Sequence, residues 1–264
     1  MPDPVYVLDD LRDESAGLDA LVAELGAEGW ASPTPAPGWS VAHQIAHLTW
    51  TDRAALLAAT DAEGFAREVE KAVAAPETFV DEAAEELVVL PYRALLARWR
   101  NGREELQRVL RARPAGERLP WYGPPMSVTS MGTARLMETW AHGQDVADAL
   151  GVRREPTARL RHIAHIGVRT RDFAFGVRGL PVPHGEFRVE LRAPGGEVWA
   201  YGPEEAPQRV TGSAYGFCLL VTQRAHRDDL DLRAEGADAD RWLDIAQCFA
   251  GLPGKGRTRG SAHA

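Results

Sequence analysis

Cysteine is almost missing from this chain: Cys218 and Cys248 are the two in 264 residues. Two thiols build neither a disulfide framework nor a thiolate zinc site. Both stand among apolar neighbours (Phe217 and Leu219; Ala246 and Phe249), where a free cysteine acts as a small hydrophobe. Positive charge is also short, with Lys+Arg 30 against Asp+Glu 38 and a net charge of -8. That excludes a global basic field for nucleic acid. No apolar run approaches the ~20 residues a bilayer span needs. The opening Met1-Pro-Asp-Pro-Val5 lacks the basic and apolar regions of a secretory signal. There is no Gly-rich phosphate loop and no dinucleotide fingerprint. These absences lead us to expect a protein of the reducing cytoplasm that acts on a small molecule, without nucleic acid or membrane.

What is present is an ordinary globular composition, 45% hydrophobic and 26% charged, enough for one large or two ordinary domains. The first 150 residues read as helix. Leu8, Leu11, Leu18, Leu21, Val22 and Leu25 recur at helical spacing over roughly residues 5–28. The proline-rich stretch 31–38 is a loop, and Ser40 is placed to cap a second helix running to about Thr60. That helix is apolar over most of its circumference (Val41, Ile45, Leu48, Trp50, Leu56, Leu57), so its polar residues carry information. Residues 61–80 are mixed, loop or short helix. A third helix starts near Pro91 and closes before Pro114; a fourth spans roughly 130–150 and ends on Gly151. Between them, 114–128 holds four prolines around Trp121 and Tyr122. After Gly151 the texture changes. A helix over 157–178 precedes a strand at 187–192, a Pro194-Gly195-Gly196 turn and a partner strand at 198–201. A strand near 208–211, a helix from Ser213 to Arg224 and a last helix over 238–249 follow. The expected organisation is a four-helix bundle over 1–152, a smaller α+β domain over 153–252, and a flexible basic tail over 253–264.

Glu138 and His142 stand at i, i+4 on the fourth helix, so a carboxylate and an imidazole project from one face. The second helix carries His43 and His47 at the same spacing. One histidine from that pair with Glu138 and His142 makes a His₂Glu set, three ligands with a position left open. Such donors suit zinc, and also nickel, iron or manganese. Asp145, three residues after His142, is placed behind the ligands to orient an imidazole, and His43 has the same place if His47 is the ligand.

Two stretches carry a family likeness. Pro37-Gly-Trp-Ser-Val-Ala-His-Gln-Ile-Ala-His47-Leu and Arg135-Leu-Met-Glu138-Thr-Trp-Ala-His142-Gly-Gln-Asp145-Val resemble the N-terminal domain of mycothiol-dependent maleylpyruvate isomerases, within the DinB-like four-helix metalloproteins. Over the whole chain the pattern is similar to an actinobacterial group of metal-binding proteins, and its second half to sterol-carrier-like α+β modules. The resemblance implies His47, Glu138 and His142 as metal ligands, and Arg224 as a catalytic helper. It implies mycothiol as cosubstrate and, by analogy with paired DinB-like bundles, a homodimer. Trp121, Tyr122 and Met126 are placed to wall the pocket for that thiol.

Three functions fit the pattern. In the first, the open metal position activates an external thiol for isomerisation or transfer. The second is a metal-dependent hydrolase, with Asp52 or Asp145 as the base. The third is a non-catalytic protein that binds metal or a small molecule. A free thiol has pKa about 8.5 and gives little thiolate at neutral pH, whereas a coordinated one is deprotonated.

Overall fold

The computed structural model describes residues 4–254 and 256–260, and the chain divides into two compact units, 1–154 and 155–264. Of the expected tail, Lys255 and residues 261–264 lie outside the described residues. The described part rests on the second unit, where the Gly260 N–H donates to Asp229 at 2.8 Å.

In the first unit, α1 (Pro4–Val22), α2 (Ala27–Ala31) and α3 (Val41–Thr60) are followed by α4 (Ala62–Ala74), α5 (Phe79–Val88) and α6 (Tyr92–Arg111). The pair β1 (Arg118–Leu119) and β2 (Met126–Ser127) leads into α7 (Val128–Ala149). The helix expected over 5–28 is two helices, because Gly26 takes an extended conformation at the start of α2. The mixed segment 61–80 contributes α4 and the start of α5, with Asp61 capping α4 by accepting from Gly64 N–H at 2.9 Å. Helix α1 packs on α7, where Gly132 lets Val7 and Leu8 approach; α3 packs on α5, α6 and α7. Their core is Leu18, Trp30, Val41, Ile45, Leu48, Leu95, Trp99 and Val146. Asp19 ties α1 to α6 by accepting from Arg100 and Arg103.

The second unit is mixed. Helices α8 (Leu160–Arg169) and α9 (Arg171–Gly176) precede the strands β3 (Phe187–Arg192), β4 (Val198–Tyr201) and β5 (Gln208–Ser213). Then come α10 (Ala214–Val221), β6 (Arg233–Glu235) and α11 (Ala237–Ile245). The helix expected over 157–178 breaks at Thr170, whose hydroxyl donates back to the Ile166 carbonyl at 2.9 Å. The sheet order is β4-β3-β5-β6, with β3 and β5 parallel and both outer pairs antiparallel. Phe187, Val189 and Leu191 face inward on β3, as the alternation predicts. To return from β4 to the far side of β3 the chain must pass the start of β3 closely. Gly202 makes that pass at φ +79, where a Cβ would lie 1.9 Å from the Phe187 carbonyl oxygen. Trp242 of α11 meets Phe187 and Phe217 edge-on at 5.8 and 5.7 Å.

Helix α10 stops three residues short of Arg224. Gln223 turns at φ +59, and the N–H groups of Gln223 and Arg224 close onto the carbonyls of Leu220 and Leu219. Arg224 therefore lies in the bend after the helix, where its guanidinium donates to the Thr222 carbonyl at 2.6 Å. Among the described residues, no helix is long and apolar enough to cross a membrane.

Candidate metal centre

Two helices bring the site together. Helix α3 presents His47 and α7 presents Glu138 and His142, and one ligand atom from each lies within 4.8 Å of the others. The Nε2 atoms of His47 and His142 stand 3.1 and 3.3 Å from the same carboxylate oxygen, Oε2 of Glu138. Ligand atoms held ~2.0–2.2 Å from a tetrahedral zinc ion stand roughly 3.3–3.6 Å apart. The observed spacing is close to that. Both histidines are buried and Glu138 nearly so.

A chain of hydrogen bonds fixes the orientation of His142. The Thr34 hydroxyl donates to the Trp39 carbonyl at 2.9 Å, which commits its only proton. Its oxygen then accepts from Gln44 Nε2 at 2.8 Å. The Gln44 amide is thereby oriented with Oε1 toward His142 Nδ1, 2.5 Å away. Nδ1 donates to that oxygen, so Nε2 faces Glu138 with a lone pair when the ring is neutral and with an N–H when it is charged. Burial alone would raise the Glu138 carboxyl. Hydrogen bonds to His142 and His47, with the charge of Arg135, overturn this and hold it well below the usual range. The carboxylate and the two Nε2 atoms stand close enough to share one cation, a proton or a metal ion. His47 Nδ1 is buried with no hydrogen-bond partner among the described residues. The donor set therefore fits a metal ion.

Aromatic rings enclose the group. Trp39 stacks on His142 at 6.0 Å and leans on His47 at 5.5 Å, held by its own Nε1 donating to Asp81 at 3.0 Å. Trp50 also packs on His47, at 5.6 Å. Tyr122 packs on Trp50 at 6.2 Å, and Trp121 stacks on Phe65 at 5.7 Å. Arg135 is buried, 4.0 Å from Glu138, with its guanidinium over the Trp121 ring at 5.9 Å. Met126 is half-buried in β2, opposite Leu119.

The other residues singled out from the sequence fall as follows. His43 is outside the ligand group. Its Nδ1 accepts from the Ser40 N–H at 3.1 Å, so its Nε2–H donates to Glu85 at 3.1 Å. Both nitrogens are used, and the ring packs against Trp39, 6.2 Å away. Asp145 is buried one turn beyond His142, while the partner on His142 Nδ1 is Gln44. Asp52 is buried and lines a cavity with residues of α1 and α6. Arg224 belongs to the second unit. Sequence reasoning missed Gln44, Thr34 and Trp39. A glutamine flanked by two histidines in an otherwise apolar helix was the available signal for Gln44; nothing local marked Thr34.

The fold and the group define a protein of helices and a small sheet with a candidate His₂Glu centre. Residues 11–147, just over half of the chain, match the family model described as the mycothiol maleylpyruvate isomerase N-terminal domain. The chain belongs to that family. A second, shorter match, described as wyosine base formation, covers residues 183–235. Uncharacterised proteins from two strains of Mycobacterium tuberculosis, CDC 1551 / Oshkosh and ATCC 25618 / H37Rv, are each 60% identical over 257 residues. They match 97% of this chain and 100% of their own. Two crystal structures of a mycothiol-dependent maleylpyruvate isomerase share the fold. A histidine-to-alanine mutant has TM-score 0.60 at 16% identity, and a second structure has 0.58 at 15%. Each likeness covers 88% of this chain and 92% of the other.

Proposed function

We propose that this protein is a metal-dependent enzyme that uses an external low-molecular-weight thiol, mycothiol, for isomerisation or transfer on a small organic substrate. His47, Glu138 and His142 hold the ion, zinc in the first place, with nickel, iron or manganese suited to the same donors. When bound, the ion supplies an acidic open position at which a thiol is kept as thiolate. The chain's own residues do the rest. Gln44 keeps His142 in the coordinating tautomer, Trp39 and Trp50 cover the histidines, and Trp121, Tyr122 and Met126 are assigned to the wall of the thiol pocket. Asp145 and His43 are assigned to supporting places behind the ligands, and Arg224 to a helping role through its motif match. We read the first unit as a DinB-like four-helix bundle and the second as a sterol-carrier-like module, in a cytoplasmic homodimer.

The observation that carries this reading is the Trp39–Thr34–Gln44–His142 chain, which spends four polar groups on turning one imidazole Nε2 toward Glu138. The thiol must come from outside. Burial, with Cys248 nearby, pushes the Cys218 thiol well above its ordinary range, and both cysteines are buried. The hydrolase reading needs a base beside the ion, and Asp52 opens instead on a separate cavity.

Elemental analysis of the purified chain tests the metal, and calorimetry tests the thiol. We expect about one divalent ion per chain, saturable mycothiol binding to the loaded protein, and loss of both in His47→Ala. Metal-loaded protein that gives no heat with mycothiol, yet cleaves esters or amides without any thiol, overturns the reading in favour of a hydrolase.

A further inference from the structure

A cavity of about 350 Å³ lies between α1, α3 and α6, lined by residues none of which is a ligand of the metal group. Its cations are already committed. Arg103 donates to the Ser15 carbonyl at 2.8 Å and to Asp19 at 2.5 Å, and Arg111 donates to Asp9 at 2.7 Å. Its acceptors are not. Gln107 Nε2 donates to the Leu8 carbonyl at 3.0 Å, an oxygen that can only accept, so the amide is fixed with Oε1 as the spare atom. That Oε1 is buried without a hydrogen-bond partner among the described residues. Asp52 is 6% exposed, and among the described residues no hydrogen bond to its carboxylate is found. Glu104 stands exposed at the rim.

The charges around Asp52 do not complete it. Arg103 faces it from α6 and shares the Asp19 carboxylate with Arg100; Arg135 and Glu138 face it from α7 and stand 4.0 Å from each other. Burial outweighs both guanidiniums and pushes the Asp52 carboxyl up to about 6, so their charge does not offset its desolvation. A buried acceptor without a donor costs ~1–3 kcal/mol. Gln107 Oε1 is such an acceptor among the described residues, and the Asp52 carboxylate lines the same cavity. A ligand that satisfies them carries N–H donors and positive charge.

We propose that this cavity binds a small organic ammonium compound, its N–H groups donating to Asp52 and Gln107 Oε1 and its chain running outward past Glu104. The site is separate from the metal centre, and binding there requires no metal.

The test is a calorimetric titration of the full chain with n-butylamine, alongside 1-butanol as the neutral analogue of the same size and potassium chloride as an inorganic cation. We expect saturable butylamine binding at least tenfold tighter than 1-butanol, and at least tenfold weaker in Asp52→Asn. Ala16→Phe plugs the cavity from an exposed position on α1 and is expected to abolish binding while zinc content stays as in the parent. Equal affinity for amine and alcohol, displacement of the amine by potassium alone, or variants that bind like the parent each overturn the proposal. Should Asp52→Asn fail to fold, as judged by circular dichroism, Ala16→Phe decides.

Discussion

Helices α3 and α10 are both apolar around most of their circumference and both are buried, yet they bury different things. Helix α10 buries Phe217, Cys218, Leu219, Leu220 and Val221 against the sheet and α8. Gly167 of α8 gives it room, since a Cβ there would lie 2.9 Å from Val221. Helix α3 buries Gln44, His47 and Asp52 among its alanines and leucines. Apolar burial stabilises by itself, at ~25 cal/mol per Å². Burying an imidazole, an amide and a carboxylate costs free energy unless each is answered. For Gln44 and His47 that cost is met by partners around one centre, while the burial of Asp52 is not offset. Helix α10 itself buries apolar side chains, and Thr222 just after it is satisfied locally by donating to the Cys218 carbonyl at 2.7 Å.

The contrast can be broken at several points. His142→Ala removes a ligand, and we expect metal content to fall from about one ion per chain to near zero by elemental analysis, with β3 and α10 keeping their hydrogen-exchange protection. Trp242→Ala does the opposite. It empties the space between Phe187 and Phe217, and a loss of about 3–5 kcal/mol is expected in the exchange protection of the second unit, with metal content unchanged. Asp52 sharpens the comparison through pH. Its carboxyl is raised to about 6 in the folded chain against 3.8 for the free group, so the folded state holds the extra proton. This contribution is fully present below about 4 and is lost as pH rises through about 6, an upper limit of ~3 kcal/mol. Asp52→Asn should be more stable than the parent at pH 7.5, and the gap should close at pH 4 in denaturant titrations.

Smaller effects separate the partners from the ligands. Gln44→Leu keeps the volume and removes the acceptor on His142 Nδ1, so zinc affinity should fall about 10- to 100-fold in competition with a chelator. His43→Ala removes the cap partner of Ser40, costing about 1 kcal/mol of helix stability, while zinc affinity stays within twofold. A large zinc loss there would make His43 part of the centre.

How legible this was in the sequence follows from how local each feature is. The i, i+4 spacing of Glu138 and His142 and the alternation of Phe187, Val189 and Leu191 are local, and the structure places both as read. Gln44 escaped because its role depends on Thr34, ten residues away in the proline-rich loop. Breaks at Gly26 and Thr170 were hidden because the apolar period runs on through them, while a cap and a back-bonding hydroxyl end the helices. The parallel pairing of β3 with β5 rests on a strand skipping over its neighbour, which no local pattern announces. Arg224 was set on a helix that Gln223 terminates, since a non-glycine residue at φ +59 has no sequence mark.

Three side chains holding a metal ion, with a position open to an external thiol, are what the proposed function rests on. It is tested most directly by loading the chain with cobalt(II) and adding mycothiol while recording the absorption spectrum. The account predicts a thiolate-to-metal charge-transfer band that saturates at one thiol per metal and is absent in Glu138→Gln. A tetrahedral cobalt spectrum that mycothiol leaves unchanged would contradict it.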